Sequence, residues 1–235
     1  ELLPEDFILD DEPVDNVNHP PIAAVLTESL ELAGRLPSTA LVTTNNGICA
    51  TVNDKIIVKA PDWAYVPQIS VAREEVKRSY TPNLQGDIPV VVMEFLSDAE
   101  GTEYSSKRTY PPGKWFYYEQ ILQVPNYIIF EPESGSLEVH RLDESGKYDL
   151  HSFDENNRYW LDEMHLFIGV WQGKKENRDG YWLRWWDEAG NLLLWGTELV
   201  IREREAKELE REAKETALQR LEELEQKLRD AGIEP

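Results

Sequence analysis

A mixed α/β (α+β) domain, followed by one long charged helix, is the architecture this 235-residue sequence predicts. Three observations carry it. Apolar residues recur at helical spacing near the start. Short β-prone runs separated by Asn, Gly and Ser fill the middle. From Glu198 to Gly232 both proline and aromatic residues disappear.

The elements follow in order. Residues 1–19 are acidic, carry Pro4, Pro13 and Asp10-Asp11-Glu12, and read as an extended lead-in. From Pro20 to Leu36, Ile22, Val25, Leu26, Ser29, Leu30, Leu32 and Ala33 recur on one helical face, with Pro21 in the first turn and Gly34 near the stop. Ala40–Thr44 and Ile48–Val52 flank Asn45-Asn46-Gly47 and read as a hairpin. Asn53-Asp54 then leads into Lys55–Val58, which predicts a meander. Residues 67–87 read as a short helix and an exposed loop. Pro89 to Leu96 is continuous and apolar, as expected of a strand at a sheet centre. Residues 97–113 form a loop, Lys114 to Leu122 a helix, and Tyr127–Phe130 a strand, so a crossover unit is expected. Ser134-Gly135 and Ser145-Gly146 punctuate strands at 136–142 and 147–152, and Trp-rich strands follow at 166–171, 181–186 and 191–195. The tryptophans alternate along these strands and read as packing rather than as a platform for bases. The expected division is a lead-in over 1–19, a domain over 20–197 and a helix over 198–235.

In that last helix, Ala206, Leu209, Ala213, Ala217, Leu221, Leu224 and Leu228 are spaced by 3, 4, 4, 4, 3 and 4 residues, a coiled-coil-like stripe that departs from a strict heptad. So narrow a stripe needs a partner, which is expected to be a second copy of the chain (a homodimer) or the body.

The formal charge is −21, of which the tail from Glu198, with twelve acidic and eight basic residues, holds −4. Acidity therefore belongs to the domain. It favours solubility and opposes contact with nucleic acid, and no basic run offsets it. The single Cys49 excludes an internal disulfide. No apolar stretch approaches the roughly 20 residues that span a bilayer, and no signal-like segment opens the chain, so a cytoplasmic location with no membrane partner is expected.

Two acids stand inside or beside β-prone apolar runs: Asp62 in Ala60-Pro61-Asp62-Trp63-Ala64-Tyr65-Val66, and Glu94 in Pro89–Ser97. A carboxylate in such a place is costly unless it is paired, hydrogen-bonded or bound to a metal. Neighbouring strands would bring both to one sheet edge, and two hard oxygen ligands suit Mg²⁺ or Mn²⁺. A nearby lysine could orient or deprotonate water, and Lys107 and Lys114 both follow Glu94. Asp62 capping a turn and Glu94 pairing with a cation are the structural alternatives. His19, His140, His151 and His165 are scattered without zinc-site spacing and read as surface or core residues.

The proline-aspartate strand at Pro61-Asp62, the Glu94-Phe95-Leu96-Ser97 strand, the lysine-led Lys114–Tyr118 segment and the strand Tyr127-Ile128-Ile129-Phe130-Glu131-Pro132 together resemble the Uma-type restriction endonuclease family, a branch of the PD-(D/E)XK nuclease superfamily found in cyanobacteria. The resemblance implies a restriction-endonuclease-like mixed sheet flanked by helices. It also implies Mg²⁺ (or Mn²⁺) held by Asp62 and Glu94, with Lys114 as the lysine of the motif and Lys107 as its alternative. The first-helix acids Glu28 and Glu31 are possible additional ligands. Two departures stand out: Leu96 occupies the position where the superfamily places its lysine, and Gln123 replaces a usual glycine.

Two functions are compatible with these residues. One is a metal-dependent endonuclease that hydrolyses DNA phosphodiester bonds. The other is a catalytically inactive nuclease-fold protein acting as a binding or assembly module through its C-terminal helix.

Overall fold

The computed structural model describes residues 16–97 and 102–230, so most of the expected lead-in lies outside the described residues. The chain divides into two compact units, Glu1–Leu193 and Leu194–Pro235.

Helix α1, His19–Leu32, starts on Pro20 and Pro21, whose missing N–H groups cost nothing in a first turn. It ends where Gly34 takes φ 65°. The amides of Gly34 and Arg35 then bond back to Glu31 O (3.0 Å) and Leu30 O (2.8 Å), satisfying carbonyls that the last turn leaves open. Ile22, Ala23, Val25, Leu26 and Leu30 form its buried face, as the 3–4 spacing requires.

The central six-stranded sheet has the order β1-β4-β6-β7-β8-β9, formed by Leu41–Thr43, Trp63–Val66, Val91–Phe95, Asn126–Glu131, Ser136–Leu142 and Tyr148–Leu150. Strand β6 is buried at all five positions and runs parallel to β7, the remaining pairs being antiparallel. The connection between β6 and β7 carries helix α2, an α-helical turn Lys114–Phe116 that continues as a π-helical turn, Tyr117–Leu122. A parallel pair needs such a crossover.

Alternation along the strands divides the core. Ala64, Val92, Tyr127 and Ile129 share a cluster with Tyr117, Tyr118, Leu122 and Tyr148. Strands β2 (Gly47–Val52), β3 (Lys55–Lys59) and β5 (Ser79–Tyr80) form a small sheet whose Ile48 and Ile57 join that cluster. In the other direction, the Trp63 indole donates to Thr27 Oγ1 on α1 (3.0 Å) and the Trp185 indole to Leu26 O (3.1 Å). The two rings lie 5.7 Å apart. Trp185 belongs to β12 (Arg178–Trp186), which pairs with β11 (Leu166–Lys175) and β10 (Arg158–Leu161) in a third sheet. Trp182 and Trp185 are fully buried, so these rings do serve packing.

Several local expectations give way. The hairpin expected around Asn45-Asn46-Gly47 is absent: β1 pairs with β4, and β2 pairs with β3 around Asn53-Asp54. The reason is conformational. Asn53 and Asp54 both take positive φ (50° and 62°), as a two-residue hairpin turn demands, whereas of the first pair only Asn45 does. Gly47 instead lies in β2, where a Cβ would stand 2.7 Å from the Val58 side chain. The meander is therefore split between two sheets. The short helix expected within 67–87 is a single 3-10 turn at Arg73–Glu75. Residues 191–195 form only an isolated bridge, Trp186 to Leu192, rather than a strand.

In the second unit, helix α3 spans Gly196–Asp230 with no buried residue. Leu209, Leu218, Leu221 and Leu224 are each more than half exposed. Among the described residues no helix is long and apolar enough to cross a membrane.

Candidate active site

The site is set by strand register. In the antiparallel β4–β6 pair, Trp63 faces Met93 and Ala64 faces Val92. Extended by one step, the register sets Asp62 opposite Glu94, on the face shared by Ala64 and Val92. Pro61 ends the preceding segment, and Asp62 Oδ2 accepts the Phe95 N–H at 2.6 Å, closing the end of the strand pair. Asp62 Oδ1 lies 3.4 Å from His19 Nδ1 at the start of α1, and His19 Nε2 lies 3.4 Å from Leu96 O.

Glu94 is 1% exposed. Helix α2 supplies both of its partners: the Tyr118 hydroxyl donates to Oε1 (3.1 Å) and Lys114 Nζ to Oε2 (3.1 Å). Residues four apart lie on one side of a helix, which explains why this pair reaches one carboxylate. Lys114 also stands 3.6 Å from Glu103 Oε1. Glu103, in the 3-10 turn Thr102–Tyr104, is buried and fixed by Thr102 Oγ1 (3.0 Å) and by the Tyr127 hydroxyl, which donates to its carbonyl (2.9 Å).

The electrostatics follow from burial. Desolvation pushes the Glu94 carboxyl up to about 8; Lys114 opposes this, while Asp62 and Glu103 reinforce it. Burial works against the charge on Lys114, but the Glu94 and Glu103 carboxylates outweigh it and hold the ammonium above its ordinary value. Both groups therefore retain protons more strongly than in water. Lys114 is a fixed cationic donor here, not a base.

The structure thus brings Asp62, Glu94 and Lys114 together. Lys107 is exposed, and its carbonyl accepts the Gly113 N–H (2.9 Å) at the base of the loop. Glu28 turns toward Lys175, 3.9 Å away on β11, and Glu31 is exposed; the residue of α1 that contacts the cluster is His19. Sequence reasoning missed three participants. His19 reads as an isolated histidine, and Glu103 sits in a loop with no periodicity. The four-residue step from Lys114 was the available signal for Tyr118. Among the described residues no group of three or more His, Cys, Asp or Glu side chains is arranged to hold a metal ion. The donor set is two facing carboxylates with a third, Glu103, across Lys114. This oxygen-only set fits a hard ion that keeps several waters.

The sequence profile of the Uma2 family, described as "Putative restriction endonuclease", matches residues 23–171, more than half of the 235-residue chain. The chain belongs to this family. The Uma2 match contains Asp62, Glu94, Glu103 and Lys114 and leaves His19 and helix α3 outside. Membership makes the protein nuclease-like, with a nucleic acid as the class of substrate. A solved structure from Anabaena variabilis, described as "a putative nuclease belonging to DUF820", is similar at 14% identity and a TM-score of 0.42, over 65% of this chain and 76% of that one. No curated protein matches the chain.

Proposed function

We propose that this Uma2 protein is a Mg²⁺- or Mn²⁺-dependent endonuclease that hydrolyses DNA phosphodiester bonds. The observation that carries the reading is the register that sets Asp62 opposite Glu94, with Lys114 bound to the latter. Asp62 and Glu94 would hold the ion, Glu94 giving up its proton as the ion binds. When bound, it would polarise the scissile phosphate and acidify water. Lys114, held as an ammonium by Glu94 and Glu103, donates hydrogen bonds: it orients the attacking water and offsets charge building on the phosphate. Tyr118 fixes the Glu94 rotamer, and the Phe95 amide and His19 fix Asp62.

Calorimetry with Mg²⁺ and Mn²⁺, together with plasmid and single-strand cleavage, tests this. The parent is expected to bind and cleave, and the Asp62→Ala/Glu94→Ala variant to do neither. Absence of binding at millimolar metal would refute it.

The exposed leucines of α3 favour a second reading, an assembly module that dimerises through this helix. Sedimentation of the full chain separates the readings: a dimer converted to monomer by Leu221→Glu/Leu224→Glu, in a protein that binds no metal, supports the module alone.

A further inference from the structure

The 3-10 turn Thr102–Tyr104 and the first turn of α2 lie side by side, and two contacts join them one residue apart. The inner one is Glu103 to Lys114, 3.6 Å. The outer one is Tyr104 stacked on Trp115, with ring centroids 6.4 Å apart at 26°. Trp115 is itself wedged edge-on against His140 (4.7 Å), Tyr148 (5.4 Å) and Tyr127 (5.7 Å), so Tyr104 rests on a fixed support. Burial, with Glu138, Glu103 and Glu131 nearby, raises the pKa of the Tyr104 hydroxyl above its ordinary value, and the residue is 42% exposed.

The same segment departs from the charge of the rest. Thr102–Phe116 carries Lys107, Arg108 and Lys114 against Glu103, a net of +2 in a chain of −21. Lys107 and Arg108 are exposed. Beyond them Tyr110 is 53% exposed with Lys55 Nζ 4.6 Å from its ring centroid. Exposed rings interleaved with cations suit one strand of nucleic acid, because a ring can stack on any unpaired base while the cations take phosphates. Duplex bases are already stacked and offer such rings nothing.

We infer that Thr102–Phe116 binds single-stranded DNA beside the Asp62–Glu94 site, with Tyr104 stacking a base and Lys107 and Arg108 contacting the backbone. The inference rests on the nuclease reading and names its substrate form. It also explains how so acidic a chain approaches a polyanion: Tyr104, which has the acidic Glu138, Glu103 and Glu131 around it, stacks a base, which needs no charge, while the exposed Lys107 and Arg108 take the phosphates.

Fluorescence anisotropy of labelled oligothymidylate, and of its duplex with oligoadenylate, tests this on the full chain in EDTA across a salt series. The parent is expected to prefer the single strand. Tyr104→Ala should weaken binding roughly 5- to 150-fold, the worth of one stacked base, while Tyr104→Phe retains it. Lys107→Ala/Arg108→Ala should reduce the salt slope by about 1.4, for two phosphate contacts on a single strand. Equal affinity for duplex, or parent-like binding by Tyr104→Ala, would overturn the inference. Mg²⁺ calorimetry on the same samples separates the failures: metal binding without strand binding overturns this inference alone, whereas strand binding without metal binding overturns only the metal site.

Discussion

Glu94→Gln should remove a pH dependence from the stability of this protein. The Glu94 carboxyl moves from an ordinary 4.5 to about 8 on folding. Between those values the folded state binds a proton that the unfolded state has lost. Its contribution to stability is therefore complete below 4.5 and is lost as pH rises through about 8. Each pH unit in the window removes about 1.4 kcal/mol, so a rise from about pH 5.5 to about pH 7.5 costs the folded state about 3 kcal/mol. Lys114 adds no slope there, since its shift is upward from 10.5. Glutamine keeps an acceptor for Tyr118 and cannot ionise. Urea unfolding of both proteins across this range should show the variant's advantage over the parent widening by about 3 kcal/mol, from about 1.4 kcal/mol at the acid end to about 4 kcal/mol at the alkaline end. Equal slopes in the two proteins would refute the argument. So would a variant several kcal/mol weaker at pH 7.5, for it would mean that Glu94 is ionised and held by its pairing with Lys114.

Two further outcomes are expected. Gln123 closes α2 at φ 56°, a conformation in which a Cβ is strained; Gln123→Gly should raise the urea-derived stability by up to about 1 kcal/mol, the strain relieved exceeding the added freedom of the unfolded chain. His19→Ala, by freeing the Asp62 carboxylate from its contact at 3.4 Å, should weaken the Mn²⁺ affinity measured by calorimetry by roughly 10-fold, as is usual for a residue that orients a ligand.

How much of this was legible depends on whether the signal was local. The buried run Val91–Phe95, helix α1 and the charged helix are each written in one stretch of sequence, by apolar continuity or by spacing. Asp62 and Glu94 were legible because a carboxylate in an apolar strand is anomalous wherever the strand goes. The partition of β1 to β3 between two sheets was not, because Asn45-Asn46-Gly47 and Asn53-Asp54 carry nearly the same turn chemistry, and the choice between them is made by β4 and β5, which arrive later in the chain. Glu103 and His19 reach the cluster only through tertiary folding, one from a loop and one from a helix start, and no spacing links either to Glu94. Glu28 and Glu31 follow from a helix whose acidic residues turn away from the sheet edge.

The π-helical turn at Tyr117–Leu122 has a consequence for how this protein tolerates change in length. A π turn holds about one residue more than an α turn, so it is in effect a one-residue insertion that the fold has absorbed. Upstream of it stands Lys114; downstream Leu122 and Val124 are anchored in the core. Deleting one residue inside the turn would let the helix wind as α throughout with its two flanks close to their present phase, because the extra residue is what the π turn accommodates. Lys114 would keep its side of the helix toward Glu94. A further insertion meets no such slack: it would turn everything upstream by about 100° against that anchor and carry Lys114 away from Glu94. The phase of the site is therefore buffered against the loss of one residue here and exposed to the gain of one.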